Sequence, residues 1–367
     1  MQKIFAIGLI VALDLYAVPQ CCAQYQCNDF EVILFGRVWR VTSYWVQEDL
    51  MQNPNDEVFL EPEGLAFNSG VLYASGDREP DETDSRLAIY DYPPGGPLSF
   101  NGFIQMPNNE PNLWGPEGIT FNNSGSGYGS GTNQLVSIEG DDTNQVGIID
   151  LASGDVLSRM AIEEAEDIAF LPNRSEFAAL TVGANSIALT YYNQSMVPTG
   201  ESFEVVPGSN GVAGVSASFG SWFTRTTQQD EILIVATKAN PGNGIVAYDL
   251  AGNQINKQQD LPVEPKAKIP IGGGFYLIEP AFGTVEAIAV DEVSKVLFIG
   301  DEDNCMLHVL TAVRLAADFE PDGDVDIYDL RQFVSCWLDI DCGHPDWCGG
   351  TDFDRSVMVD FIDYALF

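Results

Sequence analysis

Basic residues are scarce in this chain. Lys and Arg number 16 against 54 Asp and Glu, leaving a formal net charge of −38 at pH 7. Such a surface lacks the cationic footprint that phosphate backbones require, so nucleic-acid binding is excluded and anionic membranes repel it. It keeps a protein soluble and monomeric and gathers divalent cations nearby. Histidine is scarcer still, with only His308 and His344. A Ser-His-Asp hydrolase would have to use one of them, and neither stands in a catalytic motif. No Gly-x-Ser-x-Gly elbow, phosphate-binding glycine loop or dinucleotide fingerprint is present. Beyond the N-terminal segment no run of 18 apolar residues occurs, so no membrane-spanning helix is expected.

The N-terminus reads as an export signal. Lys3 supplies positive charge, Ile4 to Val18 is mostly apolar with Asp14 as an interruption, and small residues precede Gln24. Cleavage of residues 1–23 is expected, and with it a secreted location, extracellular or on a bacterial cell surface. Five cysteines then remain: Cys27, Cys305, Cys336, Cys342 and Cys348. Cys342 and Cys348 flank a turn and are the preferred disulfide pair in an oxidising compartment. Cys27–Cys305 is a second pairing if the ends of the large domain meet. The odd count leaves one thiol over, with Cys336 as the candidate.

The sharpest motif lies near the C-terminus. Residues 318–329 place carboxylates at positions 1, 3, 5, 7, 9 and 12 of a twelve-residue loop, with Gly323 at position 6. This is the spacing of an EF-hand calcium loop. Asp318, Glu320 and Asp322 would supply side-chain ligands, Asp324 its carbonyl, Asp326 a direct or water-mediated contact, and Asp329 the closing carboxylate. A weaker loop starts 34 residues later. Asp352, Asp354, Ser356, Asp360 and Asp363 stand at positions 1, 3, 5, 9 and 12, with the Met358 carbonyl at position 7. Val357 at position 6 is β-branched where glycine is wanted, so this site is expected to be the weaker. Val325 and Val359 share position 8, where paired loops can form a short β contact. After the first loop Leu330, Phe333, Val334, Trp337 and Leu338 make one apolar helical stripe.

Two such loops closing with Asp, each leading into a short helix, resemble a type I dockerin module over about residues 315–367. The resemblance implies calcium binding and docking onto a cohesin-type scaffold domain. It also implies recognition through loop positions 10 and 11, here Ile327, Tyr328, Phe361 and Ile362.

Residues 24–314 read as all-β, with short Val-, Ile-, Tyr- and Phe-rich runs between turn residues. A phrase recurs: Glu63-Gly-Leu-Ala-Phe67, Glu117-Gly-Ile-Thr-Phe121, Glu166-Asp-Ile-Ala-Phe170 and Glu286-Ala-Ile-Ala-Val290, with a degraded copy at Ala213–Ala217. Spacings of 54, 49, 47 and 73 residues fit propeller blades of about 50 residues. Six blades are expected, with five or seven also compatible and a pair of β-sandwiches as the alternative fold. The last copy is followed by a short segment, so N-terminal strands are expected to complete the final blade.

First strands line a propeller's channel, so Glu63, Glu117, Glu166 and Glu286 are expected to ring one mouth, where carboxylates need a cation, water or backbone amides. Acidic runs at Asp77–Glu79, Glu139–Asp142 and Asp301–Asp303 would converge on one face or be solvated loops. The Glu-Gly phrase, the Leu-Tyr-Ala-Ser strand and the Tyr-Asp strand resemble the phytase-like or esterase-like propellers, which implies calcium and, in some members, phosphate-ester hydrolysis. Such a site needs Lys and Arg, for which Arg78, Arg86, Arg174, Arg225, Lys238 and Lys257–Lys268 are the candidates. Trp114 and Trp222 are candidates for stacking on sugars. Two functions follow. One is a secreted calcium-binding propeller that binds a carbohydrate, phosphate-ester or protein ligand and is carried on a docking module. The other is a phosphate-ester or glycoside hydrolase delivered to a scaffold by that module.

Overall fold

Apolar β-branched and aromatic runs separated by Gly, Asn, Asp and Pro favour strands joined by tight turns. In the computed structural model the described residues are accordingly almost all β, with one short helix assigned in the C-terminal region. The structure describes residues 26–34, 37–45, 62–76, 86–106, 115–139, 144–182, 186–205, 212–219, 231–237, 244–255, 266–272, 275–280, 282, 284–301, 306–312 and 327–340, with scattered positions from 342 to 364. The expected export signal, most of the first expected calcium loop, Asp354, Phe361, Ile362 and Asp363 lie outside the described residues, as do Arg78, Trp114, Trp222, Arg225, Lys238 and Cys305.

Strands β1 (Gln26–Leu34) and β2 (Arg37–Trp45) form an antiparallel hairpin. Three four-stranded antiparallel sheets follow. The first holds β3 (Pro62–Asn68), β4 (Val71–Gly76), β5 (Arg86–Asp91) and β6 (Ser99–Gln105). The second holds β7 (Pro116–Thr120), β8 (Gln134–Glu139), β9 (Gln145–Asp150) and β10 (Val156–Ala161). The third holds β11 (Ala165–Leu171), β12 (Glu176–Val182), β13 (Ile187–Asn193) and β14 (Pro198–Glu204). A fourth sheet has three strands, β15 (Val212–Phe219), β16 (Glu231–Thr237) and β17 (Gly244–Asp249). The hairpin β18 (Lys266–Gly272) and β19 (Phe275–Pro280) precedes β20 (Val285–Asp291), β21 (Val296–Asp301) and β22 (Met306–Ala312).

These sheets are five propeller blades. The inner strands β3, β7, β11, β15 and β20 each touch the next, and β20 touches β3, closing the ring. The core is divided among the five seams. Leu87, Ile119 and Leu135 fill the first, Ile168, Phe170 and Phe177 the second, and Leu180, Val215 and Leu233 the third. Ile234, Ile288 and Ile299 fill the fourth, and Leu72, Tyr90 and Phe298 the last. Strands buried on both faces read as continuous apolar runs, as in β16, whereas the outer strands β6 and β14 are largely exposed and polar.

The expected six blades are therefore five. The 73-residue interval before the last copy of the phrase contains an extra hairpin, but β18 pairs with β1 rather than founding a sheet. It widens the closing blade to seven strands in the order β19-β18-β1-β2-β22-β21-β20. Strand β2 runs beside β22 from Trp39↔Ala312 to Trp45↔Met306, so the N-terminal segment does complete the final blade. The buried Trp39 indole donates to the Leu34 carbonyl across the β1–β2 turn at 3.0 Å.

In the C-terminal region α1 (Ile327–Ser335) carries the expected helix. Phe333 is buried with Cys342 and Val359, and Leu330, Trp337 and Cys348 pack against them. The expected five-residue stripe is split, because Val334 and Leu338 face solvent with Ile327 and Tyr328. Leu338 already lies past the helix with a positive φ of 66°. Cys342 is disulfide-bonded to Cys348 and Cys336 carries no disulfide. The Val359 amide donates to the Asp339 carbonyl at 3.1 Å, and its carbonyl accepts from the Leu338 amide at 2.9 Å. Val325, with which Val359 was expected to pair, lies outside the described residues.

Candidate functional site

Every inner strand breaks register near its start. The irregularities fall between Pro62 and Gly64, Pro116 and Ile119, Ala165 and Asp167, Val212 and Val215, and Val285 and Ala287. The repeated Glu63, Glu117, Glu166 and Glu286 are bulged residues, with Ala213 in the equivalent place of the fourth blade. A bulge takes a residue out of its own ladder, and here the adjacent blade packs on the backbone so displaced. The Ser75 hydroxyl donates to the Gly64 carbonyl at 3.3 Å and also to the Glu117 carbonyl of the next blade. A Cβ on Gly64 would run into that Glu117 oxygen, one on Gly118 would run into Asp167, and one on Gly214 would lie 2.5 Å from the Glu286 oxygen.

The third blade has Asp167 where the first two have this glycine. Its carboxylate accepts the amides of Ile168 and Val215, each at 2.7 Å, and is held by the Ile119 amide as well. One side chain thus ties the second, third and fourth blades. Burial pushes its carboxyl well above the usual range, and the three amides pull it back only in part. The Glu-Gly phrase therefore builds seams. The four glutamates do occupy equivalent positions round the ring, but among the described residues no three His, Cys, Asp or Glu side chains gather as a metal site.

The third strands of the first four blades end in Asp91, Asp150, Asn193 and Asp249. Asp150 accepts the Ala152 amide at 2.9 Å, Asn193 those of Ser195 and Val197, and Asp249 those of Ala251 and Asn253. The Tyr-Asp phrase is turn chemistry. Of the proposed phosphate-binding cations, Arg86 donates to Gln105 at 3.1 Å and lies over Phe103. Arg174 is paired with Glu176 and Glu201 over Tyr191. Each is engaged within its own blade.

Of the acidic runs, Asp301 is buried rather than solvated. Its Oδ2 lies 3.1 Å from His308 Nε2, and His308 Nδ1 lies 2.7 Å from the Ser43 hydroxyl. Ser43, His308 and Asp301 are 2%, 2% and 0% exposed, and Phe282 packs on the imidazole at 4.6 Å. A Ser-His-Asp array thus exists, but all three side chains are buried within the closing blade. It joins β2 to β22 and β21. Sequence reasoning missed it because Ser43 and His308 are brought together only by the register of the closing strand.

The channel itself provides the open site. All five inner strands line a cavity of ≈ 140 Å³. Its walls are mainly apolar, from residues such as Leu65, Phe67, Phe121 and Val290, with Thr120, Asn123 and Ser216 also lining it, and Ser218, Glu231 and Glu292 form its charged corner. Glu231 opens β16 and is 4% exposed. Its Oε1 accepts the Asn173 amide from the third blade at 3.2 Å, while Oε2 is buried with no hydrogen-bond partner. Burial raises its pKa, the Asn173 and Arg174 amides and the Arg174 charge lower it, and the Glu292 charge raises it further. Glu292, in the turn after β20, accepts the Ser218 hydroxyl at 2.5 Å and pairs with Lys295 at 3.6 Å. This corner was not anticipated. Its one sequence signal is an acidic residue opening the otherwise apolar run Glu231–Ala236.

No known protein family matches the sequence, and no curated protein does. Solved structures with a similar course include the WD40 domain of Neurospora crassa Pan2, at 8% identity and a TM-score of 0.39 over 74% of this chain and 94% of that one. An auxiliary nutrient binding protein from Bacteroides thetaiotaomicron gives 13% and 0.37, covering 69% of each chain. Kuenenia stuttgartiensis hydrazine synthase gives 13% and 0.35 over 65% of this chain and 61% of that one. The blade count rests on strand pairing, not on these likenesses.

In the C-terminal region Asp329 and Asp352, positions 12 and 1 of the two loops, are both buried. Asp352 Oδ1 accepts the Ser356 amide at 3.0 Å, folding the second loop back on its first residue. Ile327 and Tyr328 are exposed. Among the described residues no helix is long and apolar enough to cross a membrane.

Proposed function

We propose that this protein is a secreted binding propeller that takes a ligand or partner at its channel and is held in place by a calcium-loaded docking tail. The observation that carries the propeller's role is the cavity lined by all five inner strands, with a buried carboxylate oxygen turned to no protein donor. The only Ser-His-Asp array among the described residues is buried, which favours binding over acyl transfer.

The tail reading rests on the loop spacing together with the burial of Asp329 and Asp352. Carboxylates are buried at low cost only when neutralised or hydrogen-bonded. Asp329 lies in the first turn of α1, where the helix dipole also favours negative charge. Calcium would be held by Asp318, Glu320, Asp322, Asp326, Asp329 and the Asp324 carbonyl. The second set is Asp352, Asp354, Ser356, Asp360, Asp363 and the Met358 carbonyl. The ion supplies charge neutralisation, and the side chains supply the oxygens and their orientation. Ile327 and Tyr328, with Phe361 and Ile362, would then meet a cohesin-type domain.

Hydrogen exchange of the full chain with and without chelator tests the tail. Chelation should deprotect residues 327–340, and Asp318→Ala should do so with calcium present. Unchanged protection would remove calcium from the reading. A screen on phytate, aryl esters and polysaccharides should show no turnover, and turnover of any one would replace the binding reading with the hydrolase.

A further inference from the structure

We propose that the channel mouth binds a primary alkylammonium group, such as the end of a lysine side chain or of a diamine, with Glu231 and Glu292 as its counter-charges. This rests on the reading of the channel as a binding site and names what the site takes. The cavity joins two kinds of surface. Its walls are largely hydrocarbon, from Leu65, Phe67, Phe121 and Val290, with Thr120, Asn123 and Ser216 as neutral polar lining, and its charged groups lie in one corner between the third, fourth and fifth blades. That corner holds two carboxylates and a hydroxyl already committed to Glu292.

Glu231 is the anchor. Its Oε1 is bound by the Asn173 amide, so the headgroup is oriented by the neighbouring blade, and Oε2 is left as a buried acceptor without a donor. A buried acceptor left in this state is costly, which points to a group that arrives from outside. The cationic donors nearby are already used. Arg174 is held by Glu176 and Glu201, and Lys295 pairs with Glu292 at 3.6 Å.

The shape selects among cations. A divalent metal needs six or more oxygens for calcium, or three protein ligands for zinc. Among the described residues no trio of acidic, His or Cys side chains provides them. A guanidinium wants a fork of paired acceptors around a plane. An ammonium is a compact charge on an apolar stem, and the stem matches the hydrocarbon walls. At ≈ 140 Å³ the cavity lies below the usual range for drug-sized ligands, about 300–1,000 Å³, and suits a group of side-chain size.

The test is calorimetric titration of the full chain with n-butylammonium, using n-butanol as the uncharged isostere. Saturable binding of the ammonium only is expected. Glu231→Gln should weaken it at least tenfold and Glu292→Gln severalfold. Glu231→Gln keeps a carbonyl for the Asn173 amide, so its melting temperature should match wild type, and Glu292→Gln provides a second variant should it not. Groups facing the site are Glu231, Glu292, Arg174 and Lys295. Binding should fall as acidification protonates Glu231, whose pKa burial raises. If butanol bound equally well, the channel would stand as a ligand site and the cation class would fall. If neither bound, both would fall. If Glu231→Gln bound as tightly as wild type, the assignment of the anchor would be overturned.

Discussion

Replacing Gly214 with alanine puts the meaning of the repeated phrase to a quantitative test. If the phrase builds seams, a single methyl group on β15 should wedge the fourth and fifth blades apart. The new Cβ would lie 2.5 Å from the Glu286 carbonyl oxygen, 3.1 Å from the Ala287 Cα and 3.2 Å from the Glu286 carbonyl carbon. Carbon–oxygen contacts settle at roughly 3.3–3.6 Å, so the strands must separate by about 1 Å. All three obstructing atoms are backbone, and no rotamer relieves them. A gap of that size forfeits a quarter to a half of each contact along the seam, where Val285, Ile288 and Ile234 are buried. Overpacking of a rigid site costs about 1–3 kcal/mol, and the upper end applies here. Gly214 has no positive φ, so alanine returns about 0.4–1 kcal/mol through the unfolded chain.

The net expectation is a loss of about 2 kcal/mol, or a melting temperature lower by about 4–8 °C. Gly131→Ala is the control, because its Cβ would meet only the amide end of the flexible Gln134 side chain. It should be neutral or slightly stabilising. Gly64→Ala, which meets the Glu117 oxygen more closely still, should exceed Gly214→Ala. Differential scanning calorimetry reads all three. Equal melting temperatures for Gly214→Ala, Gly131→Ala and wild type would refute the seam role.

Asp167→Ala should destabilise by about 3 kcal/mol or more in chemical denaturation, since it strands the Ile119, Ile168 and Val215 amides. Against Asp167→Asn the pH dependence has a defined sign. The folded pKa is raised, so the aspartate's contribution is complete below its unfolded pKa and is lost as pH rises through the folded one. Wild type should therefore gain on the variant as pH falls towards 3.8, and a flat difference would count against the assignment. Ser43→Ala leaves His308 Nδ1 unsatisfied and should cost about 1–2 kcal/mol by thermal melting, with no change in any ligand affinity measured at the channel. Reducing Cys342–Cys348, a loop of sequence separation 6, should destabilise the tail by about 2 kcal/mol, seen as faster exchange at Phe333 and Trp337.

The architecture was legible where its physics is local. Strand runs, turn residues and the fivefold recurrence of one phrase all reflect backbone and seam demands repeated in each blade. The blade count was not legible, because a spacing of 73 residues cannot say whether an extra hairpin founds a sheet or joins an edge. That is decided by β18 pairing with β1, whose sequence lies more than 200 residues earlier. The repeated glutamates drew attention as chemistry because they are charged, yet what recurs structurally is their bulged backbone, followed by glycine or alanine in four of the five blades and by the amide-binding Asp167 in the third. The channel corner was illegible for the converse reason. Ser218, Glu231 and Glu292 belong to no repeat, and they converge only once the fourth blade is set between its neighbours.

Both proposed sites are cation sites, and the overall charge of −38 bears on each differently. A long-range field raises the local concentration of any cation and speeds its encounter, an effect that salt screens beyond about 8–10 Å. It cannot distinguish calcium from an alkylammonium. Discrimination has to come from the short-range shells, oxygens alone in the tail and oxygens beside hydrocarbon in the channel. Rising salt should therefore weaken both sites, whereas lengthening the apolar stem of the ligand should strengthen the channel alone, by about 0.8 kcal/mol for each buried methylene until the cavity is filled. If methylamine and n-butylammonium bound the propeller with equal affinity, the carboxylates would be acting only as part of the general acidic field, and the hydrocarbon walls would have no part in recognition.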